Sequence, residues 1–138
     1  MAQKLTRALL TFALLVGALI AAPTSASAAE TCSGTRIALI THHSLNTGKV
    51  VAHTGVFDRG SNRFCVRTVK SGVLFGAKTA MSLIIYPVSS STPLGRDVGR
   101  FYEYAGPLNF TTSSCFEVNL GMLNRADEET VNYRGTFC

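Results

Sequence analysis

The 138-residue chain has no tryptophan, four prolines and four cysteines, and only 15% of its residues are charged. Each scarcity excludes something. Without tryptophan, any planar sugar-binding platform falls to Tyr86, Tyr102, Tyr104 and Tyr133. No two cysteines form a C-x-x-C pair, and 22 to 49 residues separate successive ones, so the paired thiolates of a structural zinc site are missing. No metal or cofactor is expected. No G-x-S-x-G elbow occurs, which removes the commonest hydrolase signature.

What is present begins with an address. Lys4 and Arg7 precede the uncharged run Ala8 to Ala22, and a small-residue tail ends in Ala26-Ser27-Ala28. This is the pattern of a secretory signal peptide, with an A-x-A cleavage site after Ala28 and a cut after Ala29 as the near alternative. The run is shorter than the ~20 residues a membrane-spanning helix needs, so an uncleaved anchor is the lesser reading and no membrane association is expected after cleavage. Residues 1–28 are then leader and 29–138 a single secreted domain. Cleavage leaves eleven basic residues against eight acidic ones, a charge of about +3. Arg59, Arg63, Arg67, Lys70 and Lys78 are scattered along the chain, which predicts a mildly cationic surface and no nucleic-acid stripe. Anionic wall polymers or other surface proteins are the partners such a surface would suit.

All four cysteines, Cys32, Cys65, Cys115 and Cys138, follow the cleavage site, and an even count in an exported chain predicts two disulfides. Of the three possible pairings we favour Cys32 with Cys65 and Cys115 with Cys138. Each closes a loop of a few tens of residues, for a stabilisation of roughly 3 kcal/mol in the chain-entropy account.

The dominant repeat is period two, which sends alternate side chains to opposite faces of a sheet. Phe116, Val118, Leu120 and Met122 share one phase; Val131, Tyr133 and Phe137 share another; Val73, Phe75, Ala77, Met81, Leu83 and Ile85 read as one long alternating strand. With Arg36–Thr41, Lys49–Phe57, Arg63–Val69 and Gly99–Ala105, about seven strands result, parted by turns such as Asp58-Arg59-Gly60-Ser61-Asn62. The fold class expected is all-β: an antiparallel β-sandwich or small barrel, disulfide-braced. Pro87 to Gly99, with two prolines and no apolar period, reads as an exposed loop. Leu120 to Glu129 supports at most a turn or two of helix, because Asp127, Glu128 and Glu129 oppose the dipole at its C-terminus.

The stretch Val98 to Phe110 gathers Phe101, Tyr102, Tyr104 and Phe110 around Gly106-Pro107. It reads as a strand with Tyr102 and Tyr104 on one face, broken at Ala105-Gly106-Pro107, where a proline without an amide donor marks a bulge or an edge. Packing accounts for at least one aromatic face, while Tyr86, Tyr102 and Tyr104 are the candidate binding surface. The segment D-V-G-R-F-Y-E-Y-A-G-P-L, Asp97 to Leu108, resembles the D-x-G-x-aromatic-x-x-Y-A-G-P-apolar segment of the spore-associated protein A family of small exported actinobacterial proteins. Ser61 to Thr68 is similar to that family's N-G-x-N-C-V-V-T, differing at Arg63-Phe64, and Cys115 follows at a similar distance. The resemblance implies association with spores and hyphal surfaces, without established catalytic chemistry and without functional residues to carry over.

Other function classes find less support. His43, His53 and Asp58 would form a metal or acid-base cluster if two early strands paired, whereas neighbouring His42 and His43 point to opposite faces of any strand and read better as solvated loop residues. Glu103, Glu117 and the arginines supply the residue types of a ribonuclease but no spacing that fixes their geometry. A protease inhibitor would present the 87–99 loop with Leu94 or Arg96 entering the protease. Asn109-Phe110-Thr111 matches a glycosylation sequon and is read as strand. The expectation is a secreted, non-enzymatic protein of the spore or cell surface, structural or an interaction module; the alternatives are a protease inhibitor, a wall- or carbohydrate-binding module and, last, a small hydrolase.

Overall fold

The computed structural model describes residues 31–138, so the signal-peptide reading lies outside the described residues. Eight strands follow in order: β1 (Thr35–His43), β2 (Val50–Asp58), β3 (Arg63–Lys70), β4 (Thr79–Pro87), β5 (Gly95–Phe101), β6 (Tyr104–Thr111), β7 (Phe116–Leu123) and β8 (Glu129–Phe137). They form two antiparallel four-stranded sheets, ordered β1-β2-β3-β6 and β5-β4-β7-β8. The sheets face each other as an open sandwich and do not close into a barrel.

Alternation decides what lies between them. Met81, Leu83 and Ile85 of β4 and Phe116, Val118, Leu120 and Met122 of β7 are all buried, each in phase with its partner across the register. Burial of a side chain of this size contributes roughly 1.5–3 kcal/mol. At one end of the core, Phe116 stands 4.9 Å from Phe64, 4.9 Å from Phe110 and 5.6 Å from Phe137, centroid to centroid. Three of these rings neighbour a cysteine in sequence: Phe64-Cys65, Cys115-Phe116 and Phe137-Cys138. Because consecutive residues point opposite ways, each phenylalanine enters the core and sends its cysteine outward. There Cys32 joins Cys65 and Cys115 joins Cys138.

The structure corrects several expectations. The long alternating segment from Val73 is not one strand: Gly72–Leu74 is a single 3-10 turn, Val73 and Phe75 are exposed, and β4 starts only at Thr79. Gly72 and Gly76 lie at φ +56° and +73°, where a side chain is disfavoured, and they turn the chain from one sheet to the other. The expected strand Gly99–Ala105 spans a corner instead, with β5 ending at Phe101 and β6 beginning at Tyr104 in the opposite sheet. The Asp97 carboxylate accepts the Gly106 N–H at 2.7 Å, tying β5 to β6 across that corner. Pro107 lies on β6, an edge strand, where the pairing with β3 shifts register between Val66 and Thr68. The loop expected over 87–99 is shorter, because Gly95–Phe101 pairs with β4 along its whole length. That strand was hidden because Arg96, Asp97, Val98, Gly99 and Arg100 offer no apolar phase.

Candidate functional site

Register places three arginines on the outer face of the first sheet, and Arg59, in the turn after β2, joins them by reaching Asn109, which pairs with Cys65 on that face. In β3, Arg63 and Arg67 share the phase of Cys65; in β1, Arg36 lies opposite Phe57; Arg59 follows β2 in the turn. Of the basic residues expected to be scattered over a mildly cationic surface, Arg59, Arg63 and Arg67 come together here, while Lys70 is buried at 1% exposure and Lys78 stands by Tyr102 at the β5–β6 corner. Among the described residues none of these arginines meets a carboxylate within salt-bridge distance, the two ion pairs being Arg100–Asp127 and Arg134–Glu117 on the other sheet. The Asp58 carboxylate accepts the Gly60 N–H at 2.7 Å in an Asx turn. Arg59 donates to Asn109 Oδ1 at 2.7 Å and Arg63 Nε to Gly60 O at 3.3 Å, neutral acceptors that leave both charges uncompensated.

At the centre of this face is Gly55, flanked across the sheet by Leu39 and Arg67 and along its own strand by His53 and Phe57. Gly55 borders a hollow of about 200 Å³ together with Arg36, Arg67, His53, Phe57, Leu39 and Val69. The Phe57 ring leans over the glycine so closely that a β-carbon at position 55 would stand 2.6 Å from Phe57 Cε2. The Arg67 guanidinium lies 4.4 Å from the Tyr104 ring centroid, and its Nε is buried without a partner. His53 Nδ1 shares a 3.2 Å hydrogen bond with Thr41 Oγ1, which fixes the ring at the border of the hollow and leaves Nε2 uncommitted. Thr31 and Cys32 border the same hollow, and the Cys32–Cys65 bridge fastens them to β3. Spacing alone missed Arg36 and Gly55; the available signal was phase, since Gly55-x-Phe57 and Arg63-x-x-x-Arg67 each repeat on one face of a strand.

A larger depression, about 700 Å³, crosses the outer face of the second sheet over Ser82 and Gly121, between Val98 and Asn132. Size does not make it the better site. Its bordering arginines are neutralised, Arg100 by Asp127 at 3.0 Å and Arg134 by Glu117 at 2.6 Å. The buried Asn119 Oδ1 beside it lacks a donor.

Most of the other candidates scatter. Tyr102, exposed at the β5–β6 corner with Lys78 5.5 Å from its ring, and Tyr104, against the Arg67 guanidinium, border one depression of about 470 Å³, whereas Tyr86 is on β4 of the second sheet and does not border it. Leu94 packs against the core and its N–H donates to Ile85 O at 2.8 Å, while Arg96 is a strand residue of β5; neither stands on a projecting loop as an inhibitor would require. His43 bonds Gly48 O through Nδ1, His53 bonds Thr41, and Asp58 lies at the opposite end of β2 from His53, so these three do not converge. His42 and His43, both read as solvated loop residues, end strand β1, and only His43 is exposed: His42 is buried and shares a 2.8 Å bond with Thr54 Oγ1, which bonds Thr68 Oγ1 at 2.7 Å. Burial foremost, then repulsion from His53 and His43, lowers the His42 pKa to about 4 and keeps the ring neutral.

No family model, no characterised protein and no solved structure matches the chain.

Proposed function

We propose that the protein is an exported, non-catalytic interaction module that holds to a cell or spore surface by laying the outer face of its first sheet against an anionic wall polymer. One observation carries the reading: Arg36, Arg59, Arg63 and Arg67 share a face on which, among the described residues, no carboxylate pairs with them. Like charges gathered without counter-ions destabilise a fold slightly and raise the local potential, a cost that a polyanionic partner reverses. The likeness of Asp97–Leu108 to a family of spore-surface proteins supports the same location. The non-catalytic part rests on thiols bound in disulfides and histidines held apart.

Salt washing tests it. Walls of spores or hyphae that carry the protein should release it as ionic strength rises, because screening shortens the reach of surface charges to about 8 Å at physiological salt and about 3 Å at 1 M. Recovery solely from the culture medium, never from walls, refutes the location. Hydrolysis of peptide, glycan or RNA substrates that disappears in a His43→Ala, His53→Ala double variant refutes the absence of catalysis.

A further inference from the structure

We infer that the hollow over Gly55 is a pocket for a single phosphate ester group, the repeating unit of a wall polymer joined by phosphodiesters. The inference rests on the reading of this face as the polymer-binding one, and adds which chemical group is held and by which atoms.

Three donors from three different strands border one small space: Arg36 from β1, His53 from β2 and Arg67 from β3. A carboxylate presents two coplanar oxygens, which one guanidinium fork already satisfies. A phosphate presents oxygens in several directions and draws on donors that do not share a plane. Arg67 is prepared for this: the Tyr104 ring 4.4 Å from its guanidinium steadies it, and its buried Nε–H has no acceptor among the described residues, so its donors are not already committed elsewhere. His53 presents Nε2 while Thr41 holds Nδ1. Leu39, Phe57 and Val69 complete the border with apolar surface, which suits the carbon side of an ester better than a free inorganic ion. Glycine at position 55 lets the Phe57 ring lie down against the sheet as one apolar border of the hollow, since a β-carbon there would stand 2.6 Å from Phe57 Cε2.

The test is an amide and side-chain NMR titration of the disulfide-bonded protein at fixed ionic strength, with glycerol 3-phosphate, inorganic phosphate and glucuronate as probes. Glycerol 3-phosphate should shift Gly55, Phe57, Arg36 and Arg67 selectively and bind tightest, with glucuronate weaker by about tenfold. Arg67→Lys keeps the charge but loses the planar fork and Nε, and should weaken the ester by about tenfold. Arg36→Gln, an exposed change that leaves the Arg67–Tyr104 stack in place, should weaken it by a similar factor. Shifts spread equally over Arg36, Arg67, Arg96 and Arg134 overturn the pocket, as does glucuronate matching the ester or a well-folded Arg67→Lys protein binding unchanged. Wall retention is scored separately. Retention without any selective phosphate binding defeats the pocket and leaves the surface reading standing; phosphate binding with no retention on walls does the reverse. Capture by phospholipid vesicles or RNA, but not by a polyol-phosphate wall polymer at equal phosphate concentration, overturns the wall polymer as the source of the ester.

Discussion

The two sheets are built from strands of similar length and distribute polarity in opposite ways. On its inner side the second sheet is almost wholly apolar, with Met81, Leu83, Ile85, Val118, Leu120 and Met122; on its outer side Arg100 and Arg134 are paired with Asp127 and Glu117, and Arg96 stands apart from them on β5. The first sheet turns His42, Thr54, Thr68 and Lys70 inward and carries outward arginines that meet no carboxylate among the described residues. Hydrophobic burial therefore does most of its stabilising in the second sheet, which serves as a base. The first spends polar groups where they are costly, inside, and leaves charges uncompensated where a partner can reach them. Departures from the most stable arrangement concentrate on the sheet that carries the candidate site, as expected where binding and stability compete.

Four experiments probe this asymmetry, in order of expected effect. Leu120→Ala removes a fully packed side chain of the second sheet and should cost about 2–5 kcal/mol in urea unfolding, whereas Ile40→Ala, on a half-buried edge position of the first, should cost distinctly less. Equal losses would erase the distinction between base and binding sheet. Acid acts on the first sheet through His42. The unfolded chain takes up a proton at His42 near pH 6.5 while the folded protein resists until about pH 4, so stability falls as pH drops through that window and the loss levels off below it. At pH 5 the protein should be about 2 kcal/mol less stable than at pH 7, and His42→Gln should remove most of that slope; an unchanged slope in the variant rules the histidine out as its source.

Third comes binding. Arg36→Glu with Arg67→Glu should weaken retention on an anionic wall polymer by tenfold or more, about 1.4 kcal/mol, while Arg96→Glu with Arg134→Glu changes it by less than about twofold. Equal effects would mean that net charge, and not one face, governs adhesion. Smallest of all, Glu117→Gln opens an ion pair whose arginine is largely exposed and should shift stability by less than about 1 kcal/mol. A larger shift would show that pairing on the second sheet is structural.

The sandwich was legible wherever one strand face was apolar. Residues 116–122 and 131–137 declare their phase plainly, and the Asp58–Asn62 turn is announced by Gly60 and Asn62, both at positive φ. β5 was not legible, since glycine and charged residues alternate there without contrast. The 3-10 turn imitates a strand because Val73, Phe75 and Ala77 keep period two by coincidence, while the glycines that break it are placed between them. The candidate site needed more than phase. Arg36 faces Phe57 only because β1 carries an irregularity between Arg36 and Ala38, and the neighbours of Gly55 come from three strands. Register across strands is a tertiary property that spacing within one strand does not encode. His42 was misplaced for the same reason: its environment depends on β8, from which Tyr133 meets its ring at 4.9 Å.

Lys70 closes the space where the chain passes from one sheet to the other. Its ammonium donates to Ala77 O at 2.8 Å, Thr79 Oγ1 at 2.7 Å and Phe101 O at 2.6 Å, while burial, and secondarily Arg100, lowers its pKa to about 8. An amine so enclosed is hidden from acylating reagents for as long as the two layers stay together, whereas Lys49 and Lys78 at the same end serve as internal standards. The rate at which Lys70 becomes labelled is thus a clock for the opening of that seam, readable by mass on the native protein without any engineered probe.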